Sequence, residues 1–456
     1  EIEDKMDCDV VVVGAGLAGL TAARDLLAAG QRVIVLEARD RVAGRNLGGH
    51  LKNGVAVEMG GQWIAEGHTE VLGLVGELGL ETFASYDDGV PITLFRGQVT
   101  RATDLSQLGL TPTAAPEVDR MAGLLAELAE TVSLSAPWLT EEAATLDATT
   151  FAEWVRSNTT EPEAVAYWQA LVRGVFAAEP AELSLLHFLF YVKSNTSLEV
   201  LISTTGGAQE QRVVGGTHQI SERLAEGLGD VVRLGRRVTR IVQTDTGVHV
   251  HADGAEVTAR RVIVTVPPAL AGRIDYEPAL PAQRDALTQQ MPMGSVIKTQ
   301  IAYPKPFWRE AGLNGLASNF DDGGLSVTLD NSPHDGSCGV IVGFFEGAEA
   351  RAVADLTPEQ RKDLAIESLV TFFGPEAADP IDYVEQDWMA EEFTRGCYGG
   401  RLGAGAWTSF GPALAAPVGR IHWAGAESAE VWNGYMEGAV RSGQRAAAEV
   451  LGGLSS

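Results

Sequence analysis

The sequence predicts an α/β fold, α+β overall, in which an N-terminal βαβ unit is extended by an inserted mixed sheet-and-helix region. Three observations predict it. An apolar run, a Gly-rich turn, a helical stretch and a second apolar run are packed into the first 37 residues; a helical, Ala/Leu/Glu-rich stretch spans about 76 to 200; and strand and turn signals return from 205 onward. At 456 residues the chain exceeds the size at which one hydrophobic core keeps growing, so two domains are expected.

Taken in order, Val10 to Val13 reads as a strand, Gly14-Ala15-Gly16-Leu17-Ala18-Gly19 as a turn into a helix, and Gly30 as that helix's stop. A second strand, Arg32 to Leu36, ends in Glu37. Helical segments such as Met121 to Leu134 and Thr150 to Ser157 follow, interrupted by Pro116, Pro137 and Pro180. Gly247 to Val250 reads as a strand, Asp253-Gly254 as a hairpin turn, and Val262 to Val266 as a strand stopped by Pro267-Pro268. A mixed segment fills 271–394, and Ile421 to Leu451 runs strand, turn, helix. One domain is therefore expected from 1–75, 205–270 and 395–456, and a second from 76–204 and 271–394.

A formal net charge of −27 argues against nucleic acid, whose phosphates demand a basic footprint, and against anionic membranes. It is read as a solvated acidic surface with a mild pull on cations. Glu1 to Asp9 lacks a basic, apolar leader pattern, and no apolar run approaches the roughly 20 residues of a membrane span. Three scattered cysteines, Cys8, Cys338 and Cys397, suggest neither a disulfide framework nor a metal site. A cytoplasmic protein is expected. His249 and His251 lie two apart, on one face of a strand, but no carboxylate or Cys cluster joins them, so no metal is expected.

The spacing of Gly14, Gly16 and Gly19 between a strand and a helix carries a physical logic. Gly14 makes the tight turn, Gly16 lets backbone approach a pyrophosphate, and Gly19 lets helix pack on strand, with the helix N-terminus facing the negative charge. Glu37, ending the next strand, is placed for ribose hydroxyls. These residues indicate an adenine dinucleotide in a Rossmann-like unit. Arg39-Asp40-Arg41-Val42-Ala43-Gly44-Arg45 just downstream points to FAD, since an Arg beside Gly can present its fork to phosphate.

That Gly-Arg segment, with Glu58-Met59-Gly60-Gly61-Gln62-Trp63, resembles the flavin amine oxidase superfamily. The resemblance covers nearly the whole chain: Ser203 to Glu210, Val214-Gly215-Gly216, Met293 to Lys298, Phe307-Trp308-Arg309, Gly396-Cys397-Tyr398, Trp423 to Glu427 and Gly434 to Ala439 look like monoamine oxidases. Putrescine oxidases are nearly as close. Two departures stand out: Ala43-Gly44-Arg45-Asn46 replaces the usual Gly-Gly-Arg-Thr, and Trp423 and Ala426 alter the usual Phe-Ala-Gly-Thr-Glu while Glu427 is kept.

The resemblance implies that FAD is held by Gly14, Gly16, Gly19, Glu37, Arg39, Arg45, Gly60, Gly61, Val238, Trp388, Cys397 and Glu427, with Cys397 forming a thioether to the flavin. Putrescine-oxidising relatives often lack that cysteine. It further implies that Tyr398 and Tyr435 flank the amine and that Lys298 holds a water at the flavin. Leu171, Gly174, Ile202, Gln209, Val327 and Phe344 match the substrate lining. Val327 stands where putrescine oxidases place a Glu for the distal ammonium, and burying a second cation unpaired is costly, which points to a monoamine with an apolar or aromatic tail. The implied reaction is oxidative deamination with O2 reduced to H2O2. A polyamine, putrescine or L-amino-acid oxidase and a non-catalytic flavin-binding protein are the alternatives; Arg173 is the one cation near the lining for an amino-acid carboxylate. Expected partners are a small amine and O2, with no nucleic acid or membrane, and with a homodimer left open.

Overall fold

A computed structural model describes residues 6–102 and 110–455. Five parallel strands form its first sheet, in the order Ile421–Trp423, Arg261–Val264, Val10–Val13, Val33–Leu36, Val232–Arg233. All four residues of Val10–Val13 are buried. Alternate side chains serve opposite faces: Val10 and Val12 pack with the helices Leu17–Ala28 and Met436–Leu454, whereas Val11 and Val13 pack toward Val238, Val248 and Val257 of a second, four-stranded sheet. Burial on both faces is why this strand is a continuous apolar run rather than an alternating one. Gly30 (φ +84°) follows the end of the helix Leu17–Ala28, as its placement suggested.

The third sheet has seven strands, ordered Asp382–Asp387, Val296–Tyr303, Gly339–Glu346, Val327–Asp330, Leu313–Asn319, Val90–Phe95, Gln98–Arg101. Every residue of Val296–Tyr303 and Gly339–Glu346 is buried. The last two strands correct the helical reading of 76–200. Arg96 and Gly97, both at positive φ, turn the chain between them, and the Asp321 carboxylate accepts both of their N–H groups (2.7 and 2.9 Å). Such a turn anchored from 225 residues away leaves no local periodicity to read.

Helices do fill the rest of that stretch. The helix predicted over Met121 to Leu134 runs Ala114–Glu130, and Thr150 caps Phe151–Asn158 through its hydroxyl, which accepts from Glu153 N–H (3.1 Å). Their core, built on Phe151, Trp168 and Phe188, faces the seven-stranded sheet across the central cavity. His249 and His251 lie on an exposed hairpin, each within 4 Å of Glu256. No described helix is long and apolar enough to cross a membrane.

Candidate active site

One cavity of about 1250 Å³ runs from the βαβ turn to the seven-stranded sheet. That exceeds the usual 300–1,000 Å³ of a site for one small ligand and suits a dinucleotide with a second small molecule at its end. At the dinucleotide end, Gly14 has φ +108°, and a Cβ there would lie 2.4 Å from Thr265 Oγ1. A Cβ on Gly19 would meet the Gly14 carbonyl at 1.9 Å, so helix and strand pack at backbone distance. Gly16 lines the cavity, and a Cβ there would have only Gly44 Cα within 4.0 Å. The three glycines thus divide into turn, packing and cradle. Glu37 is buried; one carboxylate oxygen accepts from Ala15 N–H (3.0 Å) and the other from Arg39 N–H (2.9 Å), which ties the turn to the following loop.

Arg45 lines the same cavity and grips Glu427 through two bonds, 2.5 and 2.9 Å, with a third bond to the Tyr398 carbonyl. Glu427 and Gly19 do not reach the cavity wall. Glu427 instead stands behind Arg45, also accepting from Gly400 N–H, and the Arg45 charge holds its carboxyl below the usual range against the opposing effect of burial. Arg39 is on the wall, its guanidinium tied to Glu391 and Thr394. Gly60 and Gly61 line the cavity next to the Arg45 backbone; a Cβ on Gly60 would sit 1.9 Å from the Arg45 carbonyl. Trp388 donates from its indole to Met59 O (2.9 Å), and Val238 completes the wall near Arg236 and Arg237. Cys397 lies on the wall as a buried free thiol, pushed up to about 12 by burial despite the opposing charge of Arg45.

At the other end, strand register builds the site. Lys298 is paired with Phe344, and Phe344 with Val327, so three side chains from three adjacent strands point off one face into the cavity. Lys298 is 3 % exposed, its ammonium donating to Gly60 O (2.7 Å) and Gln62 Oε1 (2.6 Å). Burial pulls it down to about 7, partly offset by the Glu58 charge. A lone Lys on a strand is ordinarily exposed; this one is enclosed by the strands and the Gly60–Gln62 segment. Tyr398 donates to Glu346 Oε2 (2.7 Å), while Tyr435 packs against Trp432, Tyr191 and the buried His68. Leu171, Gly174, Ile202, Gln209, Val327 and Phe344 all line this end.

Arg173 is not on the wall. Its guanidinium is held by Glu179 (2.7–3.2 Å) and Asp322 (3.2 Å), which removes the one cation foreseen for a substrate carboxylate. Several site residues left no trace in sequence. Glu346 is fully buried and pushed up to about 8 by burial, and Gln62, Asn331 and Gln300 form a buried amide chain behind Lys298. Asp87, on the wall near Thr205 and Asn314, accepts from both. Only Gln62 lies within a recognisable motif.

A glycine-rich cradle, a basic fork on its flank and an aromatic, lysine-bearing far end fit a flavin dinucleotide. The family model for flavin containing amine oxidoreductase matches residues 17–451. The chain belongs to this family. It is accordingly a flavin-containing amine oxidase, and FAD is the family's usual flavin. Amine oxidase [flavin-containing] B of Sus scrofa is 37 % identical over 97 % of this chain and 86 % of its own length. The L-amino acid dehydrogenase of Synechocystis is 36 % identical over 98 % and 95 %. Among solved structures, putrescine oxidase bound to putrescine superposes with a TM-score of 0.92 at 35 % identity, covering 98 % of this chain and 99 % of that one. Cyclohexylamine oxidase from Brevibacterium oxydans superposes with a TM-score of 0.93 at 35 % identity, over 99 % and 100 %. All are similar across the same span, so this flavin amine oxidase shares its architecture with relatives named for different substrates.

Proposed function

We propose that this flavin amine oxidase deaminates a primary monoamine bearing an apolar or aromatic tail: RCH2NH2 + O2 + H2O gives RCHO, NH3 and H2O2, through an imine that hydrolyses. The observation that carries the reading is the placement of Val327 and Phe344 beside Lys298 on one face of the sheet, which gives the reacting end an apolar wall. When bound, the flavin supplies an acceptor for two electrons and the hydrogen leaving the carbon next to nitrogen. Tyr398 and Tyr435 flank the amine with aromatic faces that attract its positive edge and exclude water, favouring a neutral, aimed nitrogen. Lys298, with two of its three N–H groups bonded to Gly60 and Gln62, holds a water for the oxygen step with the third. Gly14, Gly16, Glu37, Arg39, Arg45, Gly60, Gly61, Val238 and Trp388 hold the dinucleotide from the cavity wall, with Gly19 and Glu427 acting from behind it. Residues 1–75, 205–270 and 395–456 would make up the flavin-binding domain, and 76–204 and 271–394 the substrate domain, with 1–5, 103–109 and 456 lying outside the described residues.

A diamine is the second reading, and it rests on Asp87, the one acid among described residues lining the cavity away from the flavin-binding residues. Its oxygens already accept from Thr205 and Asn314, which weighs against it as a partner for a distal ammonium. Reducing the flavin anaerobically with benzylamine, phenethylamine, an alkyl amine, putrescine and L-amino acids, and reading the loss of visible absorbance, decides between them. Fast bleaching by the aryl and alkyl amines is expected, and bleaching by putrescine or an amino acid alone would overturn the reading. Cys397 is assigned a thioether to the flavin, supported by its place on the cavity wall; the charges of Arg45 and Lys298 only partly offset the burial that raises its thiol. Acid precipitation of the protein should keep the yellow colour in the pellet, and Cys397→Ala should release it; colour lost from the unaltered protein would refute the bond.

A further inference from the structure

Behind Lys298 lies a chain of buried amides that the chemistry above leaves unused. Lys298 Nζ donates to Gln62 Oε1 (2.6 Å), Gln62 Nε2 to Asn331 Oδ1 (2.7 Å), Asn331 Nδ2 to Gln300 Oε1 (2.8 Å), and Gln300 Nε2 to the Glu58 carbonyl (2.8 Å). Gln62, Asn331 and Gln300 are each no more than 1 % exposed. Three carboxamides in a core are costly unless every group is bonded. Here the polarity of the whole chain is determined from its two ends. The Glu58 carbonyl can only accept, so Gln300 must present its NH2 there and its oxygen to Asn331. Asn331 must then turn its NH2 to Gln300 and its oxygen to Gln62, which leaves the Gln62 oxygen aimed at Lys298. An ammonium, which can only donate, terminates the run correctly. Reversing any one amide breaks two bonds at once.

We propose that Asn331 and Gln300 are positioning residues which, acting through Gln62, hold the Lys298 ammonium with one N–H directed into the cavity for the oxygen step. The inference rests on the reading that Lys298 faces the flavin. It also accounts for Gln62 within Glu58-Met59-Gly60-Gly61-Gln62-Trp63, a segment whose backbone supplies both the Gly60 acceptor for Lys298 and the Glu58 anchor of the relay. Glu58 and Arg212 are the charged groups facing Lys298, with the Cys397 thiol beyond them. Substitutions at Asn331 or Gln300 remove none of these charges, although Arg212 donates to the Asn331 backbone carbonyl (3.2 Å) and Gln300 to that of Glu58.

The test reduces the holoenzyme with dithionite, mixes it with O2 and follows the return of flavin colour, which needs no amine substrate. Gln62→Met should slow reoxidation by about tenfold, the effect of losing one hydrogen bond to a charged group, Asn331→Leu, which breaks the amide bonds behind it, by up to about tenfold, and Lys298→Met by at least as much as Gln62→Met. Because Asn331 acts through Gln62, adding Asn331→Leu to Gln62→Met should slow it no further. A pH titration of the resting flavin's visible spectrum gives an independent readout: its inflection should move to lower pH in Asn331→Leu, since the ammonium loses an aligned acceptor. Multiplicative slowing in the double variant, an unmoved inflection, or Lys298→Met reoxidising as fast as the unaltered protein would each overturn the proposal. If Asn331→Leu does not fold, Gln300→Met tests the next link with the same two readouts. A flavin that no amine bleaches would refute the substrate reading without affecting these measurements.

Discussion

Glu346 offers a sharp test of the electrostatics at the reacting end. It closes the strand Gly339–Glu346, is fully buried, and accepts from Tyr398 O–H at 2.7 Å, while its second oxygen has no hydrogen-bond partner among the described residues. Burial raises its carboxyl from the ordinary 4.5 to about 8. The native state therefore keeps a proton that the unfolded chain releases. Stability from this site is present below about pH 4.5 and is lost as pH rises toward about 8, by about 1.4 kcal/mol per pH unit, or about 4–5 kcal/mol in all. Glu346→Gln keeps an acceptor of the same shape for Tyr398 and has no proton to lose. Denaturant unfolding of the holoenzyme between about pH 5 and 9 should show the stability difference shifting in the variant's favour by several kcal/mol between about pH 5 and 8. Its new NH2 group adds only a pH-independent offset. Two stability curves that stay parallel across this range would refute the reasoning.

Three other substitutions test separate parts of the molecule. Gly16→Ala should leave the fold intact, since its Cβ would meet nothing closer than Gly44 Cα at 4.0 Å, but lower the flavin content of purified protein; Gly19→Ala, driven against the Gly14 carbonyl, should cost about 1–3 kcal/mol or more in unfolding experiments. Val327→Glu places a carboxylate beside Phe344, and should raise kcat/KM for putrescine relative to benzylamine by about tenfold or more, the worth of one charged hydrogen bond. Thr357→Ala removes the capping box at the head of Pro358–Phe373, where Thr357 and Gln360 bond reciprocally (3.2 and 2.9 Å); a loss of about 1 kcal/mol with unchanged flavin reduction by amines is expected.

The dinucleotide end was the more legible half because its determinants are local. Gly14, Gly16, Gly19 and Glu37 lie within 24 residues of one another: Gly14 turns the chain, Gly19 lets helix pack on strand, and Gly16 and Glu37 stand on the cavity wall. The reacting end is assembled by register: Lys298, Phe344 and Val327 are neighbours only because three strands align, and a resemblance to relatives, not periodicity, brought them together. Arg173 shows the limit of proximity in sequence to a lining residue, since its three acid partners, Glu179, Asp322 and Glu349, hold it off the cavity wall. Glu346, Gln300 and Asn331 were invisible for a different reason. A polar residue in a strand, as Glu346 and Gln300 are, or just past one, as Asn331 is, reads as solvent-facing, and only a buried partner far along the chain reverses that. The hairpin at Val90–Gln98 was likewise hidden in a stretch dominated by helix formers, its turn held by the distant Asp321.

The placement of Val10–Val13 at the centre of its sheet has a consequence for how the protein is made. Its neighbour on one side, Arg261–Val264, and the strand beyond that, Ile421–Trp423, are synthesised far later, as is the helix Met436–Leu454, whose Gly443 lies against the Ala18 carbonyl. At ribosomal speeds of about 5–20 residues per second, the earliest strand waits about 20 s or more for the partners that cover it. During that interval an apolar run of four valines has its first helix but not its full sheet, and the cradle formed by Gly14 and Gly16 lacks the Glu427 that steadies Arg45. Flavin capture is therefore expected only after Glu427 and the helix Met436–Leu454 have been made, so that the cofactor becomes a late seal on a nascent chain whose βαβ unit depends on segments far downstream.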